Sequence, residues 1–74
     1  MTVEKHICVK GSSTVSWKDA IVQTIAEASK TINYLSNVKV INQTGKIQDG
    51  KIIECFVDIE LTFILIIQIY NLGG

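Results

Sequence analysis

From residue 45 to residue 63 the chain reads GKIQDGKIIECFVDIELTF. The pair Asp49-Gly50 separates two strand-like runs, which is a strong short-range signal for a β-hairpin. From Ile53 onward, and apart from Phe56, the run after this turn alternates between apolar and polar residues, as a strand with one buried face does. One face would carry Ile53, Cys55, Val57, Ile59, Leu61 and Phe63, and the opposite face Glu54, Phe56, Asp58, Glu60 and Thr62.

The first half of the hairpin is predicted to be a strand from about residue 37 to residue 47. Val38 and Val40 would point to one side of this strand. Gly45 interrupts the pattern and suggests a bulge or bend there. The other side would carry Asn37, Lys39, Ile41 and Gln43.

Upstream of the hairpin, the sequence predicts one more strand and one helix. Residues 3–10 alternate loosely, and turn residues beginning with Gly11 are expected to end this first strand. Ser16 is placed to cap a helix by accepting a hydrogen bond from the amide of Asp19. Apolar residues then recur at three- and four-residue spacing, which predicts a helix from about residue 17 to residue 34. Glu27 and Lys30 would form a solvated pair on it.

The order of elements is therefore β-α-β-β, and we expect an α+β fold in a single domain spanning residues 1–74. One helix would pack on a three-stranded antiparallel sheet and cover only one of its faces. The other face mixes apolar and acidic residues, and such a face is either solvated or an assembly surface. A chain of 74 residues with 47% hydrophobic content favours assembly, because so small a core stabilises the chain weakly.

Composition argues against several classes of protein. Seven basic and seven acidic residues give a formal net charge of zero, which does not suit a nucleic-acid binder. The longest apolar run, residues 61–70, is about half the ~20 residues that a membrane-spanning helix needs. We expect a cytoplasmic protein, since no targeting segment is visible. Cys8 and Cys55 form no metal-binding motif, and they are expected to be free rather than joined in a disulfide.

No constellation of residues indicates an enzyme. His6 is the single histidine, and no nucleophile or acid partner stands at a usable spacing, so a surface role is favoured for it. The glycine and serines at residues 11–13 do not form a phosphate-binding motif. We therefore predict a protein without catalytic machinery of its own.

Several segments, taken in order, resemble the dodecin family. Around the helix these are GSS at residues 11–13, SWKDAI at 16–21 and ASKTI at 28–32. The hairpin contributes GKI at residues 45–47 and DGKI at 49–52, and the last strand contributes VDIELTF at 57–63. The resemblance covers residues 3 to about 65, whereas the apolar tail, residues 66–74, has no recognised counterpart.

The resemblance implies a hollow shell of twelve identical subunits that binds flavins, FMN or riboflavin, for storage or protection. In this family a tryptophan at the start of the second strand stacks on the flavin ring, and a glutamine on the third strand hydrogen-bonds its polar edge. Asn37 and Phe56 occupy these two positions here. The ligand-binding residues predicted for this chain are therefore Asn37 and Phe56, with Lys39 or Gln43 adding polar contacts.

Two other functions remain open. Glu54, Asp58 and Glu60 lie on one face of one strand, and such oxygen ligands suit a divalent cation such as calcium. The alternative to a flavin shell is therefore a structural or calcium-binding oligomer without an organic ligand. Salt bridges between subunits, to Lys39, Lys5 or Lys51, are the simpler role for these carboxylates. A third hypothesis is an interaction module that docks its apolar tail on a different partner.

Overall fold

The computed structural model describes residues 2–66, and these residues form three strands and one helix. They are strand β1 (Thr2–Ser13), helix α1 (Trp17–Ala28), strand β2 (Leu35–Gln48) and strand β3 (Lys51–Ile66). The strands form one antiparallel sheet in the order β1-β3-β2, so β3 lies in the centre. The predicted α+β fold, one helix on a three-stranded antiparallel sheet, is confirmed.

The core lies between α1 and the two strands beneath it, β1 and β3. Its centre is a cluster of fully buried side chains from the middle of β3 and from the helix. Because β3 is the central strand and the helix lies over it, burying these side chains supplies most of the apolar stabilisation of a single subunit. The cluster consists of Ala20, Val57, Ile59 and Leu61.

Local signals placed the turn and the start of the helix correctly. Asp49 (φ 53°) and Gly50 (φ 75°) both have left-handed backbone conformations, as a tight two-residue hairpin turn of type I′ requires. The Ser16 side chain accepts a hydrogen bond from the amide of Asp19 at 2.9 Å. The predicted pair on the helix is also present, with Lys30 Nζ 2.8 Å from Glu27 Oε2.

The helix is shorter than the spacing predicts, since it ends at Ala28 and not near Tyr34. The amide of Ser29 still donates a hydrogen bond to the carbonyl of Ile25, four residues earlier. The amides of Lys30 and Thr31 donate instead to carbonyls only three residues earlier. The following residues 31–34 are β-branched, amide or aromatic, and all have lower helix propensity. The chain then reverses at Tyr34, whose φ is 63°.

The first strand is longer than predicted, because it continues through Gly11 to Ser13. Gly11, Ser12 and Ser13 pair with Val57, Phe56 and Cys55 of β3. The glycine is needed for the approach of the helix and not for a turn: a β-carbon at position 11 would lie 1.8 Å from Oγ1 of Thr24. Pairing with the central strand therefore outweighs the local turn propensity of these residues.

Strand β2 contains register shifts that the alternation does not predict. Val40 lies opposite Ile59, but the next paired residue, Asn42, lies opposite Asp58, so Ile41 is an extra residue in the strand. Further shifts lie between Leu35 and Asn37 and between Lys46 and Ile47, rather than at Gly45 itself. Because side chains alternate with period two, the extra residue at 41 reverses the faces of all the residues that follow it up to Lys46.

Both cysteines are free, as expected. Cys8 is exposed and lies opposite Glu60, whereas Cys55 is buried on the face that carries the helix. Within residues 2–66 there is no helix long and apolar enough to cross a membrane. The predictions for the apolar tail depend almost entirely on residues 67–74. These residues lie outside the part of the chain that the structure describes.

Candidate functional site on the open face of the sheet

The face of the sheet that turns away from α1, here called the open face, collects most of the predicted site residues. In an antiparallel sheet, residues directly opposite each other share a face, so the register assigns its members. Four rows cross the three strands from β1 through β3 to β2. They are His6–Thr62–Asn37, Cys8–Glu60–Lys39, Lys10–Asp58–Asn42 and Ser12–Phe56–Thr44.

The acidic residues of the open face have basic neighbours within the same chain. Asp58 Oδ1 lies 3.8 Å from Lys10 Nζ, and Glu60 Oε1 lies 2.9 Å from His6 Nδ1. Glu54 lies beside Lys46 of β2, four residues or roughly 13 Å along the strand from Asp58. Among residues 2–66 no three acidic, histidine or cysteine side chains are grouped closely enough to hold a metal ion. A cation site formed by Glu54, Asp58 and Glu60 would therefore need residues from more than one subunit.

His6 is bonded more strongly than a surface histidine usually is. The hydrogen bond from its ring to the Glu60 carboxylate raises the pKa of His6 above 6.5, and Glu4, 3.8 Å from the other ring nitrogen, acts in the same direction. Lys39 and Cys8 flank Glu60 in the same row. Through its hydrogen bond to Glu60, the ring links β1 to the central strand.

This geometry predicts that the pair stabilises the fold mainly at acidic to neutral pH. Because the pKa of His6 is raised in the folded state, the pair contributes its full stabilisation of the fold below the unfolded pKa of about 6.5. This stabilisation is lost as the pH rises through the pKa of the folded state. We expect the urea midpoint of the wild type to exceed that of His6→Gln at pH 5.5, and the difference to shrink by pH 8. A difference that grows with pH would contradict this account.

The two principal ligand residues both lie on the open face but are far apart within one subunit. Asn37 lies opposite Thr62, six residues along β3 from Phe56, which is roughly 20 Å. Phe56 is 37% exposed and stands between Ser12 and Thr44. Any ligand that contacts both Asn37 and Phe56 would therefore lie between two copies of the chain.

The prediction that Gln43 shares a face with Asn37 and Lys39 is wrong. Gln43 lies opposite Val57, on the face that carries the helix, because the extra residue at Ile41 shifts the register. Thr44 and Asn42 take its place on the open face. The two adjacent branched residues, Val40 and Ile41, were the signal in the sequence that the alternation breaks here.

Sequence reasoning also missed His6, Lys10 and Ser12 as members of the open face. Their place depends on which residue of the distant strand β3 each one faces, and no local pattern contains that information. Within one subunit, Lys10 and His6 are the basic residues that lie within 4 Å of Asp58 and Glu60 among residues 2–66. The salt bridges predicted for Lys5, Lys39 and Lys51 would join different subunits and stay a prediction.

Comparison with known proteins gives one consistent result. The family model described as Dodecin matches residues 3–65 of the chain. A variant of the dodecin from Thermus thermophilus is 28% identical, with a TM-score of 0.85 over 92% of this chain and 100% of that one. The dodecin from Streptomyces coelicolor is 25% identical, with a TM-score of 0.83 over 90% of this chain and 96% of that one.

A more distant similarity shows only that the fold is shared. The calcium dodecin from Mycobacterium tuberculosis, described as calcium-chelating, is 21% identical, with a TM-score of 0.73 over 97% of each chain. A search of the curated proteins finds no match.

Proposed function

This chain belongs to the dodecin family, and from that premise we propose that it forms a homo-oligomeric shell of twelve subunits that holds a small, flat aromatic ligand between the open faces of its sheets. The observation that carries the proposal is the open face itself. It bears an exposed phenylalanine between two hydroxyl residues, Ser12 and Thr44, and the helix does not cover it.

The residues do not fit a flavin held in the manner that the family resemblance implies. Asn37 has no aromatic ring to stack, and Phe56 has a ring but no group that hydrogen-bonds a polar edge. Losing an aromatic stack costs about 1–3 kcal/mol per ring, and an unpaired polar edge costs about 1–3 kcal/mol more. Phe56 supplies a stacking surface on a different strand, so the proposal places the ligand ring there.

Titration of riboflavin by quenching of its fluorescence tests this role of Phe56. Phe56→Leu keeps an apolar side chain but removes the ring, and we expect binding to weaken by roughly 5- to 150-fold, the equivalent of about 1–3 kcal/mol. Phe63→Leu, on the face that carries the helix, is the matched control and should bind as the wild type does.

Native mass spectrometry of protein purified without added ligand supplies the second readout. A twelve-subunit mass with added multiples of one small molecule supports the proposal. Absence of both a retained ligand and riboflavin quenching at micromolar concentration would contradict the aromatic-ligand role and leave the shell without an organic ligand.

A calcium-binding or purely structural oligomer is the second candidate, favoured by the three carboxylates on one face. Asp58 and Glu60 have basic partners in their own chain, which reduces their need for a cation. If calcium binds there, it raises the thermal midpoint of the wild type but not that of the Glu54→Gln/Asp58→Asn variant. Neither candidate requires catalysis by this chain.

A further inference from the structure

A groove runs along the outer edge of the sheet between β1 and the second half of α1. Its volume is about 670 Å³, and it is open to solvent. Apolar side chains from β1, from α1 and from the segment after the helix line it, together with polar and charged residues that include Lys10, Gln23 and Glu27. β1 is an edge strand, so its outward main-chain groups have no partner strand among residues 2–66. The apolar part of the lining consists of Ile7, Val9, Ala28 and Ile32.

The end of the β2–β3 hairpin carries an apolar surface that residues 2–66 leave largely exposed. β1 stops at Ser13, opposite Cys55, so the end of the β2–β3 hairpin projects beyond the rest of the sheet. On the side that faces α1 it carries Ile47 and Ile52, which lie opposite each other and are 69% and 54% exposed. Leaving such side chains in water forgoes the hydrophobic stabilisation that their burial would supply.

We propose that the hairpin end of one subunit packs Ile47 and Ile52 into the groove between β1 and α1 of a second copy of this chain. Within residues 2–66 nothing covers the two isoleucines or the apolar lining of the groove, and the same molecule carries both surfaces, so one contact covers both in every subunit. The inference rests on the proposed homo-oligomer and specifies one of its contacts.

The two surfaces lie at different places on the subunit. The groove borders β1 and the isoleucines lie on the β2–β3 hairpin, so each subunit carries both halves of the contact. Two geometries satisfy it: the contact repeats head to tail around a ring when the rotation closes, or a two-fold axis places each hairpin in the groove of the other subunit. Neither geometry uses the open faces, which stay free for the ligand.

Disulfide trapping tests the contact in the full chain. In a Cys8→Ser background, Ile52→Cys and Ile32→Cys are combined, and oxidised protein is separated on a non-reducing gel. Two cysteines bridge only when their β-carbons lie within about 3.5–4.5 Å, so we expect at least about tenfold more covalent oligomer than in the control. The control combines Ile32→Cys with Asn42→Cys, whose side chain belongs to the open face.

A second variant covers the case in which the double-cysteine chain does not fold. Ile47→Asp changes a residue that its own subunit leaves exposed, and it is expected to convert the native assembly to smaller species by placing a carboxylate in the groove. An oligomeric wild type with neither trapping nor disruption would overturn the contact alone. A monomeric wild type would overturn both the contact and the proposed shell.

Discussion

Replacing Ile59 by alanine is expected to lower the free energy of unfolding by about 2–5 kcal/mol, the range found for truncation of buried Ile and Leu side chains. Ile59 is fully buried in the centre of β3. It pairs with Val9 and Val40 on the two sides and lies in the cluster formed with Ala20 and Leu61. The whole free energy of unfolding of a protein domain is only about 5–15 kcal/mol, so this loss is a large share of its stability.

Urea unfolding at a fixed chain concentration measures this effect, because association with other copies adds to the apparent stability. Val22→Ala is the control, since Val22 lies on the helix with 52% of its surface exposed. Exposed substitutions of this kind change the stability by no more than about 0.5 kcal/mol. Equal effects at the two positions would mean that the core does not lie between α1 and β3.

Gly11→Ala is expected to destabilise the protein by about 1–3 kcal/mol through overpacking. The new β-carbon would lie 1.8 Å from Thr24 Oγ1, and that hydroxyl donates a hydrogen bond to the carbonyl of Ala20 at 2.7 Å. Thr24 can rotate away only by giving up this bond, and a β-branched side chain has few other rotamers in a helix. The backbone of Gly11 is not in the left-handed region, so the cost comes from the contact alone.

A double-mutant cycle separates this contact from other causes. Thr24→Ala removes the clashing oxygen, so the double variant should recover about 0.5–3 kcal/mol relative to the sum of the single changes. Gly50→Ala is the control: its φ is +75° and nothing lies near the new β-carbon, so Thr24→Ala should not rescue it. Additive effects for Gly11→Ala and Thr24→Ala would place the helix farther from β1 than the structure does.

The proposed contact between hairpin and groove and the proposed ligand site use different parts of the sheet. Ile47 and Ile52 face the side of α1, whereas Phe56 lies on the open face only a few residues away. A variant on one surface should therefore leave the other largely intact. Phe56→Leu is expected to change ligand binding without changing the mass of the assembly, and Ile47→Asp is expected to change the mass first.

The candidate site could be predicted in part because one long strand carries much of it. The period-two pattern of β3 correctly placed Phe56, Asp58 and Glu60 on the face opposite Val57, Ile59 and Leu61. The same reasoning failed on β2, where the extra residue at Ile41 moved Gln43 to the other face. The adjacent branched pair Val40-Ile41 signals that the alternation breaks, but the way the strand fits its neighbour decides which residue becomes the extra one.

Local chemistry was enough to predict the order of elements, the Asp49-Gly50 turn and the Ser16 cap. Each of these depends on interactions among residues close together in the sequence. The tertiary structure alone decided the continuation of β1 through Gly11 and the pairing of His6 with Glu60. These features join segments that lie far apart in the chain, where packing and strand pairing outweigh the preferences of the individual residues.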